Sequence, residues 1–109
     1  MKRTVKLTSP VHFISSASVV GRREHDGPYG SCFDLHDDSE RFGQDTWERS
    51  ESEMQRLALN TALSKSKLSP KDINVLLAGD LLNQCVGSSY GIAAFGIARG
   101  KRNYHKYCE

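Results

Sequence analysis

Two stretches of the chain have the residue pattern of β-strands. Residues 11–20 are rich in β-branched and aromatic residues and lie between Pro10 and Gly21, which predicts a first strand. Both alternating faces of this stretch carry apolar side chains, so we expect it to be covered on both sides. Residues 73–79 form a nearly continuous apolar run, which is typical of a strand buried inside an α/β structure.

Two further stretches have the pattern of helices. Apolar residues recur at helical spacing over residues 46–65, and Asp45 with Glu48 forms a capping-box-like start, which predicts a long amphipathic helix. Its apolar stripe comprises Trp47, Met54, Leu57, Ala58, Thr61 and Ala62. The same spacing predicts a second helix over residues 80–96, with Gly96 as its cap.

The segments between these elements differ in character. Residues 22–44 lack apolar periodicity and are rich in turn formers, which predicts a long loop. Loops longer than about 12 to 15 residues usually have a role in function or assembly. Residues 69–72, Ser-Pro-Lys-Asp, predict one short helical turn. The order strand, long loop, helix, strand, helix therefore predicts a layered α/β fold.

Composition and charge exclude several classes of protein. The chain has 109 residues, of which 38% are apolar and 26% charged, as expected for one small globular domain. The formal net charge is +2, and the basic residues are dense only near the two ends, which argues against nucleic-acid binding. We expect no signal peptide and no membrane-spanning segment, because the apolar runs are short and interrupted.

Residue types that bind metals occur in two sets. The cysteines are Cys32, Cys85 and Cys108, an odd number without zinc-site spacing, which indicates a reducing compartment. The second set, four acidic residues and one histidine, comprises Asp34, His36, Asp37, Asp38 and Glu40. Its spacing lacks the ordered positions of an EF-hand loop, so we interpret it as a solvated loop rather than a calcium site. We expect no bound metal and no cofactor.

Four motifs give the chain a family resemblance. They are Gly27-Pro28-Tyr29-Gly30, Phe33-Asp34, Asp45-Thr46-Trp47-Glu48 and Ala78-Gly79-Asp80-Leu81-Leu82-Asn83-Gln84. In this order, over about residues 10–97, the chain resembles the stage V sporulation protein AD family. That family is similar in fold to the thiolase and condensing-enzyme superfamily, which has two alike layered halves with a pocket between them. The resemblance implies a partial thiolase-like α/β fold, with an incomplete first half.

The resemblance also implies a function. The family binds pyridine-2,6-dicarboxylic acid (dipicolinic acid) and takes it up, with calcium, into the developing spore as part of a membrane-associated complex. The implied partners are other stage V sporulation proteins and further copies of the chain. The implied location is the cytoplasm or the periphery of the forespore and spore inner membrane. One alternative is a condensing acyltransferase of the same superfamily, and another is an interaction or decoy subunit that pairs with a full-length relative through an exposed sheet edge.

The chain departs from the family pattern after Ile97. We interpret residues 1–98 as the N-terminal part of the domain and residues 99–109 as a divergent basic tail without strand or amphipathic-helix character. Family members continue into a Gly-Ala-Cys turn where condensing enzymes carry their nucleophile. The register places that cysteine near Lys106, and Cys108 lacks the flanking small residues, so we expect no catalytic residue and no enzyme activity. A frameshift or premature end of the coding sequence explains the pattern, and a short paralogue is the alternative.

Polar residues follow the second predicted strand. The candidate ligand-binding residues are Asp80, Asn83 and Gln84. They lie just beyond the carboxyl end of the strand, where open α/β sheets hold ligands, and helix capping is their alternative role. Trp47 and Tyr90 could stack on an aromatic acid, but we interpret both as core or interface anchors. His12 is interpreted as a packed or surface histidine rather than a proton carrier.

Overall fold

The computed structural model describes Thr4, residues 6–79, Gly91, Ala93, Phe95 and the backbone of residues 104–106. The elements are strand β1 (Val19–Val20), helix α1 (Arg22–His25), a 3₁₀ turn (Gly30–Cys32), β2 (Leu35–His36), α2 (Trp47–Ser66), a second 3₁₀ turn (Pro70–Asp72), β3 (Leu76–Ala78) and β4 (Tyr104–Lys106). The strands form two parallel pairs, β1 with β2 and β3 with β4. This mixture of helices and short parallel strands makes the described part an α/β structure.

Helix α2 is the longest element and begins at a threonine cap. The Thr46 backbone is extended (φ −125°, ψ 157°), and its hydroxyl accepts a hydrogen bond from the Arg49 N–H at 3.2 Å. The predicted capping box of Asp45 and Glu48 is wrong, because the Asp45 carboxylate binds the Arg49 guanidinium at 3.1 Å instead. The helix predicted over residues 46–65 is confirmed to within a residue at each end.

The carboxyl end of α2 is closed by a residue in the left-handed region. Lys67 has φ 59°, and its N–H donates to the carbonyl oxygens of Leu63 and Ser64. This geometry satisfies carbonyl groups that a helix end would otherwise leave without partners. Within the part of the chain that the structure describes, no helix is both long enough and apolar enough to cross a lipid bilayer.

The described core lies between α2 and β1. Val20 and Leu63 are its buried large apolar residues, with 9% and 7% of their surface exposed, and the two elements pack against each other. Ser50 is buried more deeply, and its hydroxyl lies 2.9 Å from the Arg41 carbonyl oxygen and 2.8 Å from that of Thr46. These contacts make the burial of a polar side chain possible, because an unpartnered buried hydroxyl would destabilise the fold.

The first strand is shorter than predicted. β1 comprises Val19–Val20, and Val19 lies opposite Leu35 of β2 in the parallel pair. Residues 11–18 are not in a strand, and the large apolar side chains between residues 11 and 14 are exposed rather than covered on both sides. The prediction is wrong here because a strand needs a partner strand for its backbone groups, and the described chain places none beside residues 11–14.

The segment predicted as a long loop contains regular structure. Residues 22–44 include α1, a 3₁₀ turn and β2, so the prediction of a connection without elements is wrong. Gly30 must be glycine in this arrangement, because a Cβ at that position would lie 1.7 Å from the His25 carbonyl oxygen. The turn-forming residues therefore mark changes of direction between short elements rather than an absence of structure.

Strand β3 occupies the centre of the second predicted strand. It pairs in parallel with β4, and Leu76 lies opposite Tyr104. The prediction that residues 99–109 lack strand structure is wrong, because an open strand edge can pair with any extended main chain whatever its side-chain pattern. The prediction that β3 is buried on both faces is also wrong, since Leu77 is 62% exposed and Val75 is 55% exposed.

Two further predictions have different outcomes. The turn predicted at residues 69–72 is confirmed as the 3₁₀ turn Pro70–Asp72. The second helix, predicted over residues 80–96, lies outside the described residues except at three positions. Two of these, Gly91 and Ala93, have a helical backbone.

Candidate functional site

The carboxyl end of β3 forms a cleft with α2. The Gln55 side-chain amide donates a hydrogen bond to the Gly79 carbonyl oxygen at 3.2 Å, which links the helix to the strand end. The cleft beside this contact has a volume of about 270 Å³. Its lining comprises Gln55, Ala58 and Leu59 of α2 and residues 76–79 at the strand end. The described walls are therefore mainly apolar, and Gln55 contributes the polar side chain among the described lining residues.

The predicted ligand-binding residues begin directly after this cleft in the sequence. They are Asp80, Asn83 and Gln84. All three lie outside the described residues, as does Tyr90, so the structure leaves their roles as predictions. The described part does show that the strand end preceding them borders a cleft, which is the position where open α/β sheets bind ligands.

Gln55 is a site residue that the sequence analysis missed. It lies three residues before Ala58 and four before Leu59, so all three side chains share one face of α2. A polar residue on an otherwise apolar helix face is the signal that could have identified it. Nothing in the sequence shows that this face covers the end of β3, because that contact depends on tertiary packing.

A larger cleft of about 490 Å³ lies at the beginning of α2. Polar and charged side chains between residues 44 and 56 line it, together with Gly91. The Gly91 backbone comes so close to α2 that a Cβ would lie 2.7 Å from the Ser52 carbonyl oxygen. Glycine is therefore needed at this contact, because the clash would be with helix backbone, which cannot move aside.

The two arginines that line the larger cleft are already paired with carboxylates. The Arg56 guanidinium donates to the Glu53 carboxylate at 2.9 and 2.5 Å, and this contact lowers the pKa of Glu53 and raises that of Arg56. Arg49 pairs with Asp45 at 3.1 Å. An anionic ligand would have to displace one of these carboxylates, so this cleft is a poorer candidate site than the one at the end of β3.

The acidic residues of the segment before α2 bind backbone and side-chain donors. The Asp34 carboxylate accepts from the Lys65 ammonium group and from the Ser18 N–H, and these two bonds lower the pKa of Asp34. The Asp37 carboxylate accepts from the Ser39 hydroxyl at 2.5 Å, which lowers the pKa of Asp37. Each carboxylate thus holds a different part of the segment in place.

The same side chains do not converge on a common point. Glu40 accepts from the Arg23 N–H at 2.9 Å, and His36 lies 3.6 Å from Asp38. Among the residues that the structure describes, no group of three or more His, Cys, Asp and Glu side chains could hold a metal ion. These carboxylates, which lie close together in the sequence, bind donors in turns and ion pairs rather than converging on a cation site.

Two histidines form a contact that the sequence did not indicate. The His25 and His36 rings are stacked, with centroids 3.5 Å apart and planes 2° from parallel. The pair joins α1 to β2 across a sequence separation that no local pattern reveals. His12, by contrast, is exposed, which agrees with its interpretation as a surface residue.

Trp47 is not a core residue. Half of its surface is exposed, and the Arg41 guanidinium carbon lies 4.5 Å from the ring centroid in a cation–π contact. The core alternative of its interpretation is therefore wrong, and the interface alternative stays a prediction. The reason is position: Trp47 is the first residue of α2, about four turns before the buried Leu63.

Comparison with known proteins identifies the family. The family model described as stage V sporulation protein AD (SpoVAD) matches residues 1–99. The chain is also 42% identical over 89 residues to stage V sporulation protein AD of Bacillus subtilis (strain 168), an alignment that covers 82% of the chain and 26% of that relative. The chain thus spans about a quarter of the length of the curated relative that it matches. It belongs to the stage V sporulation protein AD family.

Proposed function

We propose that this chain is part of a protein that binds dipicolinic acid, and that residues 1–109 do not bind the ligand by themselves. Family membership and the 26% coverage of the Bacillus subtilis relative support this proposal. The observation that carries it is the mainly apolar composition of the described wall of the cleft at the end of β3. Gln55 is the polar side chain among the described lining residues, and its amide is already bonded to Gly79.

The chemistry of the ligand fits a cleft of this composition. A pyridine ring is flat and apolar on both faces, so it packs against aliphatic side chains such as Leu59 and Leu76. Its two carboxylates need donors on several sides. The side-chain amides of Asn83 and Gln84 are donors of that kind, whereas the Asp80 carboxylate suits the calcium ion that accompanies the ligand.

The proposed role is non-catalytic and depends on partners. In the complete family member, the protein acts at the forespore membrane through other stage V sporulation proteins and hands dipicolinate to them. A thiolase-type acyl transfer would require a cysteine activated by a base. The described cysteine, Cys32, is exposed in the 3₁₀ turn at Gly30–Cys32, in a part of the chain remote in sequence from the cleft residues.

Isothermal titration calorimetry tests the proposal. Pyridine-2,6-dicarboxylate is titrated, with and without calcium chloride, into this chain and into the full-length Bacillus subtilis relative. Benzene-1,3-dicarboxylate, which has the same carboxylates but no ring nitrogen, is the control ligand. We expect binding heat from the relative alone. One-to-one binding by this chain would contradict the proposal that it does not bind the ligand by itself. Absence of binding by the relative would contradict the proposed ligand.

The departure of residues 99–109 from the family pattern is tested separately from the ligand. Translation of the coding DNA beyond Ile97 in the other two reading frames should recover a Gly-Ala-Cys continuation if the gene is interrupted. The purified chain should also have a low free energy of unfolding, because a part of a larger fold buries little apolar surface. A cooperative unfolding transition at high temperature would show that residues 1–109 are stable without the rest of the family fold.

A further inference from the structure

Asp26 and Gly27 form the one Asp-Gly pair in the sequence. Such a pair is prone to a covalent change, because glycine has no Cβ to shield its amide nitrogen from the aspartate side chain. Asp26 lies at the carboxyl end of helix α1, and its side chain is 60% exposed, so water and protons reach the carboxyl group. An accessible carboxyl group and an unshielded amide thus meet at this position.

The change is isomerisation through a cyclic succinimide. The Gly27 nitrogen bonds to the side-chain carboxyl carbon of Asp26 and gives up its proton, while the protonated carboxyl group loses its hydroxyl, so that one water leaves. Water then adds to the former main-chain carbonyl carbon of Asp26 and breaks its bond to the Gly27 nitrogen. The product has a main chain that runs through Cβ and Cγ, and a free carboxylate at the old peptide position. One water has left and one has entered, so mass and oxidation state are unchanged.

The fold holds the two reacting groups apart. The Gly27 N–H donates to the Glu24 carbonyl oxygen at 3.2 Å. Asp26 has ψ −7°, which places the Gly27 nitrogen beside the Asp26 nitrogen rather than beside the Asp26 side chain. The Asp26 carboxylate is turned back along α1, where it lies 3.3 Å from Arg22 Nε. Attack requires rotation about the Asp26 Cα–C bond, and that rotation breaks the hydrogen bond to Glu24.

The junction after α1 has no room for the isomerised main chain. Gly30 packs so closely on His25 that an added Cβ would lie 1.7 Å from the His25 carbonyl oxygen. The Gly30 N–H also donates to the Gly27 carbonyl oxygen at 3.1 Å. Isomerisation at Asp26 lengthens the main chain by one carbon between these two contacts, so at least one of them is lost. His25 in turn stacks on His36, with centroids 3.5 Å apart, so a displaced junction separates α1 from β2.

We propose that Asp26 is a site of succinimide-mediated isomerisation, that the closed end of α1 holds the reaction back, and that the product loses the contact between α1 and β2. The rate then follows local opening of the α1 end rather than exposure of the carboxyl group. Asp38 is a natural comparison within the chain. Its side chain is fully exposed, but Ser39 follows it, and the serine Cβ shields the amide.

Incubation in water enriched in oxygen-18 tests the proposal. The whole chain and a synthetic peptide of residues 20–32 are kept at neutral pH for several weeks. Each passage through the succinimide adds one oxygen-18 atom to residue 26, which mass spectrometry detects, and an endoprotease that cleaves before ordinary aspartate leaves the isomerised chains uncut. We expect more label at Asp26 than at Asp38, and a rate lower in the chain than in the peptide by about fivefold or more, the factor that corresponds to one ordinary hydrogen bond.

Three variants separate the fold from the chemistry. Gly30→Ala opens the junction through its clash with His25 and should raise the rate in the chain to that of the peptide. Ser31→Ala, at an exposed position of the same 3₁₀ turn, is the matched control and should leave the rate unchanged. Gly27→Ala shields the amide and should lower the rate severalfold in the chain and in the peptide alike.

The structural consequence has its own measurement. In the proton NMR spectrum of the isomerised chain, the ring signals of His25 and His36 should lose the mutual shifts that stacked rings impose on each other. Equal rates in the chain and the peptide would overturn protection by the fold. A peptide without label at residue 26 would overturn the site, and unchanged histidine signals after isomerisation would overturn the loss of contact between α1 and β2.

Discussion

The segment of residues 6–14, here called the N-terminal arm, and helix α2 show how differently two apolar segments behave in one chain. α2 satisfies its backbone groups within itself and buries Leu63 against β1. The arm has comparable apolar content, yet Phe13 is fully exposed and the backbone has no partner among the described residues. A helix needs neighbours only for its side chains, whereas a strand needs them for its backbone as well.

The largest expected difference is between substitutions at Leu63 and at Phe13. Leu63→Ala removes a buried side chain and should cost about 2–5 kcal/mol, enough to abolish cooperative unfolding in a chain with so small a described core. Phe13→Ala removes an exposed side chain and should change stability by less than about 0.5 kcal/mol. Urea titrations followed by circular dichroism measure both. An equal loss for the two variants would show that the arm is packed in solution.

A smaller difference is expected between two serines. Ser50→Ala removes a buried hydroxyl and its hydrogen bonds to the Arg41 and Thr46 carbonyl oxygens, and it should cost about 0.5–1.5 kcal/mol because both oxygens keep a backbone N–H donor. Ser9→Ala changes an exposed serine of the arm and should be neutral. The same urea titration compares them. If Ser50→Ala is also neutral, water reaches the junction between Arg41 and α2, and the packed region is smaller than the structure indicates.

The sequence predicted the helix well and the strands poorly, for one physical reason. The helix over residues 46–65 depends on local spacing and capping, and it agrees with the structure almost residue for residue. Strand formation over residues 11–18 was wrong because pairing is non-local, and residues 104–106 form β4 without any strand pattern. Where the covering structure is absent, propensity alone does not make a strand.

The candidate site was predictable only in its location. Its position at the carboxyl end of the strand followed from the order of elements, and the cleft beside Gly79 lies there. Gln55 was missed because its helix position does not reveal which strand end it contacts. The His25–His36 stack was missed for the same reason, since its two rings come from separate elements.

The cap of α2 gives a prediction of intermediate size. The sequence pattern favours Asp45 as the capping residue, whereas Thr46 caps the helix in the structure. Thr46→Ala should cost about 1 kcal/mol, because its hydroxyl caps the Arg49 N–H. Asp45→Ala, at the residue that the sequence favoured, removes an exposed ion pair and should cost about 0.5 kcal/mol or less. Helix content by circular dichroism and urea midpoints measure both. The reverse order would restore Asp45 as the cap in solution.

The smallest expected effect concerns the ion pair between Asp34 and Lys65, which links residues 16–18 to α2. The Lys65 ammonium and the Ser18 N–H lower the pKa of Asp34 below its ordinary value of 3.8. A carboxyl group whose pKa is lower in the folded chain binds more protons when unfolded, so its contribution is present above the unfolded pKa and disappears as pH falls through the folded one.

Asp34→Asn should therefore lower the urea midpoint by a constant amount between pH 7 and about pH 5, and the difference from the parent chain should shrink to nothing at lower pH. Glu24→Gln, at an exposed position of α1, is the control and should show no such pH-dependent difference. A difference for Asp34→Asn that stays constant down to the lowest pH would mean that the carboxylate charge does not anchor residues 16–18 to α2. The exposed arm would then extend further along the chain, and the boundary between the exposed and the packed region would lie at β1.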